Sequence, residues 1–186
     1  VLSWHDSHWH PTHGGLYRNV YLHVTDKLHV TLPLYSFLET QGTYVYASNI
    51  TKETADVTVE AEVFNEYDTP KPVEYIVEIE DREGNVVLTM NDNKEIAAGE
   101  KYIFSKTGTL EDPHRWSPEY PYLYKAITKL QVAGKVVDVY ETPLGIRTSQ
   151  FTNDQGFFIN GRHVKLQGWG QRPTNDGAGL ASAYPD

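Results

Sequence analysis

The chain has 186 residues, no cysteine and a formal charge of −9, from 16 basic against 25 acidic side chains. This excludes a disulfide framework, a thiolate metal site and a thiol nucleophile, and it speaks against nucleic acid or an anionic membrane surface as partner. No apolar run approaches the roughly 18 residues of a membrane-spanning helix, whereas 13 tyrosines and 4 tryptophans among many valines and threonines favour strands.

The first residues, Val1 to Asp6, lack a basic region followed by an apolar core, so no signal peptide is read there and the compartment stays open. The start, without methionine and inside strand-like sequence, reads as part of a longer chain. His5, His8, His10 and His13 crowd the next stretch. Imidazoles at that density can take Zn²⁺. Pro11 breaks the segment and no helix sets an i, i+4 pair, so the expectation is a polar loop with packed Trp4 and Trp9, and no metal site. Leu16, Val20, Leu22 and Val24 then share one parity, which predicts a strand with one buried face.

Residues 26–148 predict one all-β unit, an immunoglobulin-like antiparallel β-sandwich of about seven short strands. A first strand falls within 28–38, with a bend at Pro33, and a second within 44–50. Val57, Val59, Ala61 and Val63 alternate with polar residues, as do Val73, Tyr75, Val77 and Ile79: one face buried, one wet. Turns are expected at Glu83-Gly84-Asn85, at Gly99 and at Gly134, with strands over 86–88, 102–104, 122–132 and 136–140 between and after them. On this alternation Glu60, Glu62, Glu74, Glu78 and Glu80 face solvent rather than pair as catalytic carboxylates. Asn65-Glu66 reads as a strand end or turn. In the segment 116–124, Pro118 and Pro121 make a rigid approach to a strand, and Trp116 with the tyrosines is expected to anchor its entrance and cover the core, although aromatic faces also suit sugars.

The stretch 141–168 reads as a strand, a turn and a hairpin. Gly145 interrupts an apolar run and implies a bulge or close backbone approach. Phe157 to Ile159 forms a short strand, Asn160-Gly161 a tight turn, and Val164 and Leu166 return.

Three segments, in order, resemble glycoside hydrolase family 2. They are His-Gly-Gly-Leu-Tyr-Arg-Asn-Val-Tyr-Leu at 13–22, Trp-Ser-Pro-Glu-Tyr-Pro-Tyr-Leu-Tyr at 116–124, and Gly145-Ile-Arg147 with 156–161 and 164–168. Asn19 stands where the family's pattern has aspartate. The resemblance implies that 1–25 is the C-terminal strand segment of a preceding jelly roll, 26–148 the sandwich, and 149–186 a hairpin and the start of a (β/α)8 barrel. It further implies a parent enzyme that is a retaining, β-galactosidase-like glycosidase, whose two carboxylates lie in the barrel and are not identified in this chain. The chain itself is expected to be inactive and architectural, supporting and orienting the barrel. Asp6, Gln171, Arg172 and Asn175 are the substrate-binding candidates in the intact protein, the last three because loops after barrel strands form active sites; an ordinary glycine-rich loop stands beside that reading. No cofactor is expected. The partners implied are the jelly roll and barrel of the parent chain, its glycoside substrate and, through unpaired terminal strands, a second copy. A carbohydrate-binding or protein-interaction module is the alternative.

Overall fold

The computed structural model describes residues 20–33 and 39–168, with the backbone alone of 174–175 and 179–180. It contains β1 (Leu28–Val30), β2 (Thr43–Ser48), β3 (Thr54–Asn65), β4 (Lys71–Glu80), β5 (Val86–Ile96), β6 (Lys101–Glu111), β7 (Tyr124–Val132) and β8 (Lys135–Leu144). A small meander follows, β9 (Ser149–Thr152), β10 (Gly156–Ile159) and β11 (Arg162–Val164), then the two-residue strands β12 (Thr174–Asn175) and β13 (Gly179–Leu180). No helix occurs among the described residues. The chain divides into a unit of Thr25–Leu166 and a second unit of Val1–Val24 with Gln167–Asp186, to which the antiparallel pair β12–β13 belongs.

The larger unit is an immunoglobulin-like antiparallel sandwich. In one sheet the long β3 carries β6 on one edge and β1 and β2 in succession on the other; the second sheet runs β5-β4-β7-β8. The alternation in β3 and β4 sends Val57, Val59, Ala61 and Val63 against Val73, Tyr75, Val77 and Ile79, all buried. At the centre Tyr75 stacks on Phe104 of β6, with ring centroids 4.6 Å apart and planes within 6°. Burial of Tyr75 pushes its hydroxyl well above the ordinary tyrosine range.

The turns fall where the glycines predict them. Gly84 (φ +88°), Gly99 (φ +71°) and Gly134 (φ +76°) join β4 to β5, β5 to β6 and β7 to β8. Gly108 has a different task. It sits in β6 opposite Val57, where a Cβ would lie 3.0 Å from the Met90 sulfur and 3.1 Å from Leu88 Cδ1 of β5. Alanine is expected to be absorbed by rotation of the flexible Met90. Gly108→Val is expected to cost about 1–2 kcal/mol by overpacking the seam between the sheets, read as a lowered urea midpoint at unchanged m-value.

Two expectations are corrected. Residues 20–24 form no strand; Val20, Leu22 and Val24 are 71%, 89% and 85% exposed. The shared parity of Val20, Leu22 and Val24 buries no face here. Glu62, expected in solvent, is buried at 6%. Its carboxylate accepts from Thr31 Oγ1 at 2.8 Å and from the Gln41 N–H at 3.2 Å, with Lys101 at 3.9 Å. Thr31 and Gln41, which follow β1 and precede β2, lie at that end of β3, and Glu62 binds the hydroxyl of one and the backbone of the other. Glu78 and Glu141 do lie on the wet face, paired with Lys129 and Lys125.

Candidate functional site: the junction clasp

Trp116, Ile146 and Asn160 are brought together although 30 residues separate the first two and 14 the last two. The Trp116 N–H donates to Ile146 O at 2.8 Å. The Asn160 side chain donates to Trp116 O at 2.9 Å and accepts from the Thr148 N–H at 3.0 Å, while its own N–H donates to Thr148 O at 3.0 Å. One side chain thus ties the tip of the β10–β11 hairpin to the approach to β7 and to the exit from β8.

The local sequence explains each piece. Asn160 (φ +50°) and Gly161 (φ +75°) both occupy the left-handed region, as a two-residue type I′ hairpin turn demands, and asparagine tolerates it better than other side-chain-bearing residues. β10 pairs with β11 and β9 in strict register, so Ile159 is held inward and buried at 7%. Residues 116–123 form no strand. Their turn is closed by Ser117 and Tyr120, whose backbones exchange hydrogen bonds at 3.0 and 3.1 Å. β7 begins only at Tyr124, beyond Pro121.

Trp116 is half-buried and carries the Arg147 guanidinium 4.8 Å above its ring. Gly145 lets this happen: a Cβ there would lie 3.3 Å from Leu123 Cδ2 and 3.4 Å from Trp116 Cβ. Tyr122 and Tyr124 are buried in the sandwich core, their rings 4.9 Å apart, and the Tyr124 hydroxyl accepts from the His114 N–H at 2.8 Å. Arg82 reaches from the β4–β5 turn to donate to Pro121 O at 2.9 Å, with its guanidinium 4.7 Å over the Tyr122 ring. Glu119 pairs with Arg162 at 3.1 Å across the clasp. Hydrogen bonds from its own N–H and from Ser117, then the Arg162 charge, hold the Glu119 carboxyl below the usual range. Both partners are largely exposed, so the pair adds little beyond orientation. The aromatics of 116–124 therefore anchor the strand entrance, and Arg147 lies over one face of Trp116.

The Asn65-Glu66 dipeptide is likewise structural. Asn65 is fully buried; its amide donates to Thr69 O at 3.0 Å, Ile96 O at 3.0 Å and Ala97 O at 3.1 Å, and its oxygen accepts from the Tyr67 N–H. It brackets three strand ends and offers no group to a substrate. Among the described residues no cluster of three metal-binding side chains occurs. The candidates Asp6, Gln171 and Arg172 lie outside the described residues, as does the histidine-rich segment; Asn175 is described by its backbone alone, opposite Gly179 in the β12–β13 pair. The clasp itself was not assembled by sequence reasoning: its motifs were visible, but the only local sign of their meeting was the Asn160-Gly161 turn.

A model of the family Glycosyl hydrolases family 2 matches residues 40–147. Over 185 residues the chain is 50% identical to a protein named Beta-glucuronidase from Formosa agariphila, covering 100% of this chain and 19% of that protein. Over 154 residues it is 34% identical to Beta-galactosidase BoGH2A from Bacteroides ovatus, covering 83% and 17%. A solved structure described as a β-glucuronidase from glycoside hydrolase family 2 matches with a TM-score of 0.87 at 50% identity, over 96% of this chain and 19% of that one. The chain spans about a fifth of the length of these proteins.

Proposed function

Because the chain belongs to the family 2 glycosyl hydrolases, we propose that its sandwich is a non-catalytic brace in a longer retaining glycosidase, holding the catalytic barrel in orientation. The observation that carries this reading is the clasp. The segment leading into β7, the segment leaving β8 and the hairpin tip are joined by one asparagine, so the chain leaves the sandwich at a fixed angle. Phe151 and Leu166, 75% and 65% exposed, leave apolar surface on the hairpin side that a following domain would cover.

On this reading residues 1–25 close a preceding jelly roll, 26–148 form the sandwich and 149–186 open the barrel. Asp6, Gln171, Arg172 and Asn175 would then edge the sugar pocket of the whole enzyme. Its chemistry would rest on two carboxylates about 5–5.5 Å apart, one nucleophile and one acid/base, contributed from beyond this chain. The relative of 50% identity is named a β-glucuronidase and that of 34% a β-galactosidase, which supports a β-glucuronide ahead of a β-galactoside as substrate.

The test compares the 186-residue chain with the longer protein on nitrophenyl β-glucuronide and β-galactoside. The chain alone is expected to show no turnover above buffer, and the longer protein to hydrolyse one of the two. Substantial hydrolysis by the chain alone would sink the bracing role.

A further inference from the structure

A groove of about 370 Å³ opens beside the clasp, between the edge strand β2 and the exit from β8, lined by Tyr44, Tyr46, Pro143, Arg147 and Ser149 among others. Tyr44 and Tyr46 alternate along β2 and so share a face; their rings are 5.3 Å apart and inclined by 35°. Tyr44 is 58% exposed, and neither ring is part of the buried core. Such a pair offers aromatic surface at the groove, suited to the C–H side of pyranose rings.

Arg147 supplies the second half. Among the described residues it is the one charged side chain lining the groove, in a chain whose formal charge is −9. Its guanidinium lies 4.8 Å over the Trp116 ring, and among the described residues no carboxylate pairs with it. A guanidinium offers a planar fork of donors that can take a carboxylate or sulfate at two oxygens, and the contact with an aromatic ring restricts its freedom. Glu60 of β3 is the cross-strand neighbour of Tyr44 on the same face and accepts from Ser105 at 3.5 Å. Ser149 adds a hydroxyl for a sugar hydroxyl.

We propose that this groove is a non-catalytic binding site for an anionic oligosaccharide, with Tyr44 and Tyr46 under the sugar rings and Arg147 on the acidic group, carboxylate or sulfate ester. Such a site would hold polymeric substrate against the parent enzyme. It does not rest on the bracing role: absence of oligosaccharide binding would leave the clasp and its consequences unchanged.

The test is calorimetric titration of the 186-residue chain with tetragalacturonate, a κ-carrageenan tetrasaccharide and neutral cellotetraose at one ionic strength. Saturable binding of at least one anionic probe is expected below about 1 mM, with cellotetraose and the variants Tyr44→Ala and Arg147→Gln each at least about tenfold weaker, the loss of one stacked or charge-assisted contact. The stronger of the two acidic probes identifies the acidic group. Tyr44→Ala removes a ring that lies outside the buried core and is expected to keep the melting temperature, so it remains decisive if Arg147→Gln loosens the clasp. Equal binding of cellotetraose, no binding of either acidic probe, or unchanged affinity in Tyr44→Ala would overturn the proposal.

Discussion

Asn65→Ala is expected to destabilise the sandwich by about 3 kcal/mol, because it strands the buried Ile96 carbonyl and loses three part-buried partners at once, and a stranded buried group costs about 1–3 kcal/mol. The Asn65 amide serves Thr69 O, Ile96 O and Ala97 O, and its oxygen serves the Tyr67 N–H. Its backbone is committed too, receiving the Gly99 N–H at 2.9 Å and donating to Glu100 O at 3.0 Å. No water is at hand to replace the amide, since the residue is 0% exposed. Asn65→Asp is expected to do no better: it keeps the volume but turns a carboxylate toward carbonyl oxygens. Urea unfolding followed by tryptophan fluorescence measures both. A loss below 1 kcal/mol for Asn65→Ala would show that the three strand ends are held elsewhere.

Asn160→Ala should act locally. It removes both side-chain hydrogen bonds of the clasp and places a Cβ without a polar tip at φ +50°. Two bonds at roughly 1 kcal/mol each and part of the left-handed penalty amount to about 2–3 kcal/mol. Asn160→Gly keeps the turn and loses only the bonds, so its cost is expected to be about 1–2 kcal/mol. The difference between the two separates turn strain from tether. The sandwich core contains neither bond, so the opening is sub-global. Amide exchange at Thr148 and proteolysis within 149–164 should accelerate in both variants, more in Asn160→Ala, while core amides of β3 and β7 stay protected. Equal protection in wild type and both variants would mean that the hairpin is docked by something other than this side chain.

Much of this architecture was legible because it is local. Alternation in β3 and β4 fixed which side chains face inward, and Gly84, Gly99, Gly134 and Asn160-Gly161 marked the reversals by conformational demand alone. What escaped depends on partners distant in sequence. Glu62 has the alternation of a wet residue, yet Thr31 and Gln41, 31 and 21 residues earlier, donate to its carboxylate. Asp138 lies beyond a register shift between Leu130 and Gln131, and it turns to the neighbouring sheet to accept the Val30 N–H at 2.7 Å. No periodicity reports an acceptor 108 residues away. The clasp failed to show for the same reason: the carbonyl that Asn160 binds belongs to Trp116, and a carbonyl carries no sequence signature. The substrate candidates were chosen by resemblance alone, and Asp6, Gln171 and Arg172 lie outside the described residues.

The interleaving of the two sheets has a consequence in time. β3 waits for β6, its partner from Lys101 onward, and β4 waits for β7, which begins at Tyr124. Neither sheet can be completed from consecutive strands as the chain emerges from a ribosome. Synthesis at about 5–20 residues per second leaves the exposed edges of β3 and β4 unpaired for several seconds, an interval in which chaperone binding or mispairing competes with closure. The clasp needs Trp116, Ile146 and Asn160 together, so it fastens after β8 has been made. Whatever follows the hairpin is then presented to a sandwich whose strands have all been synthesised, and the order of synthesis becomes an order of assembly.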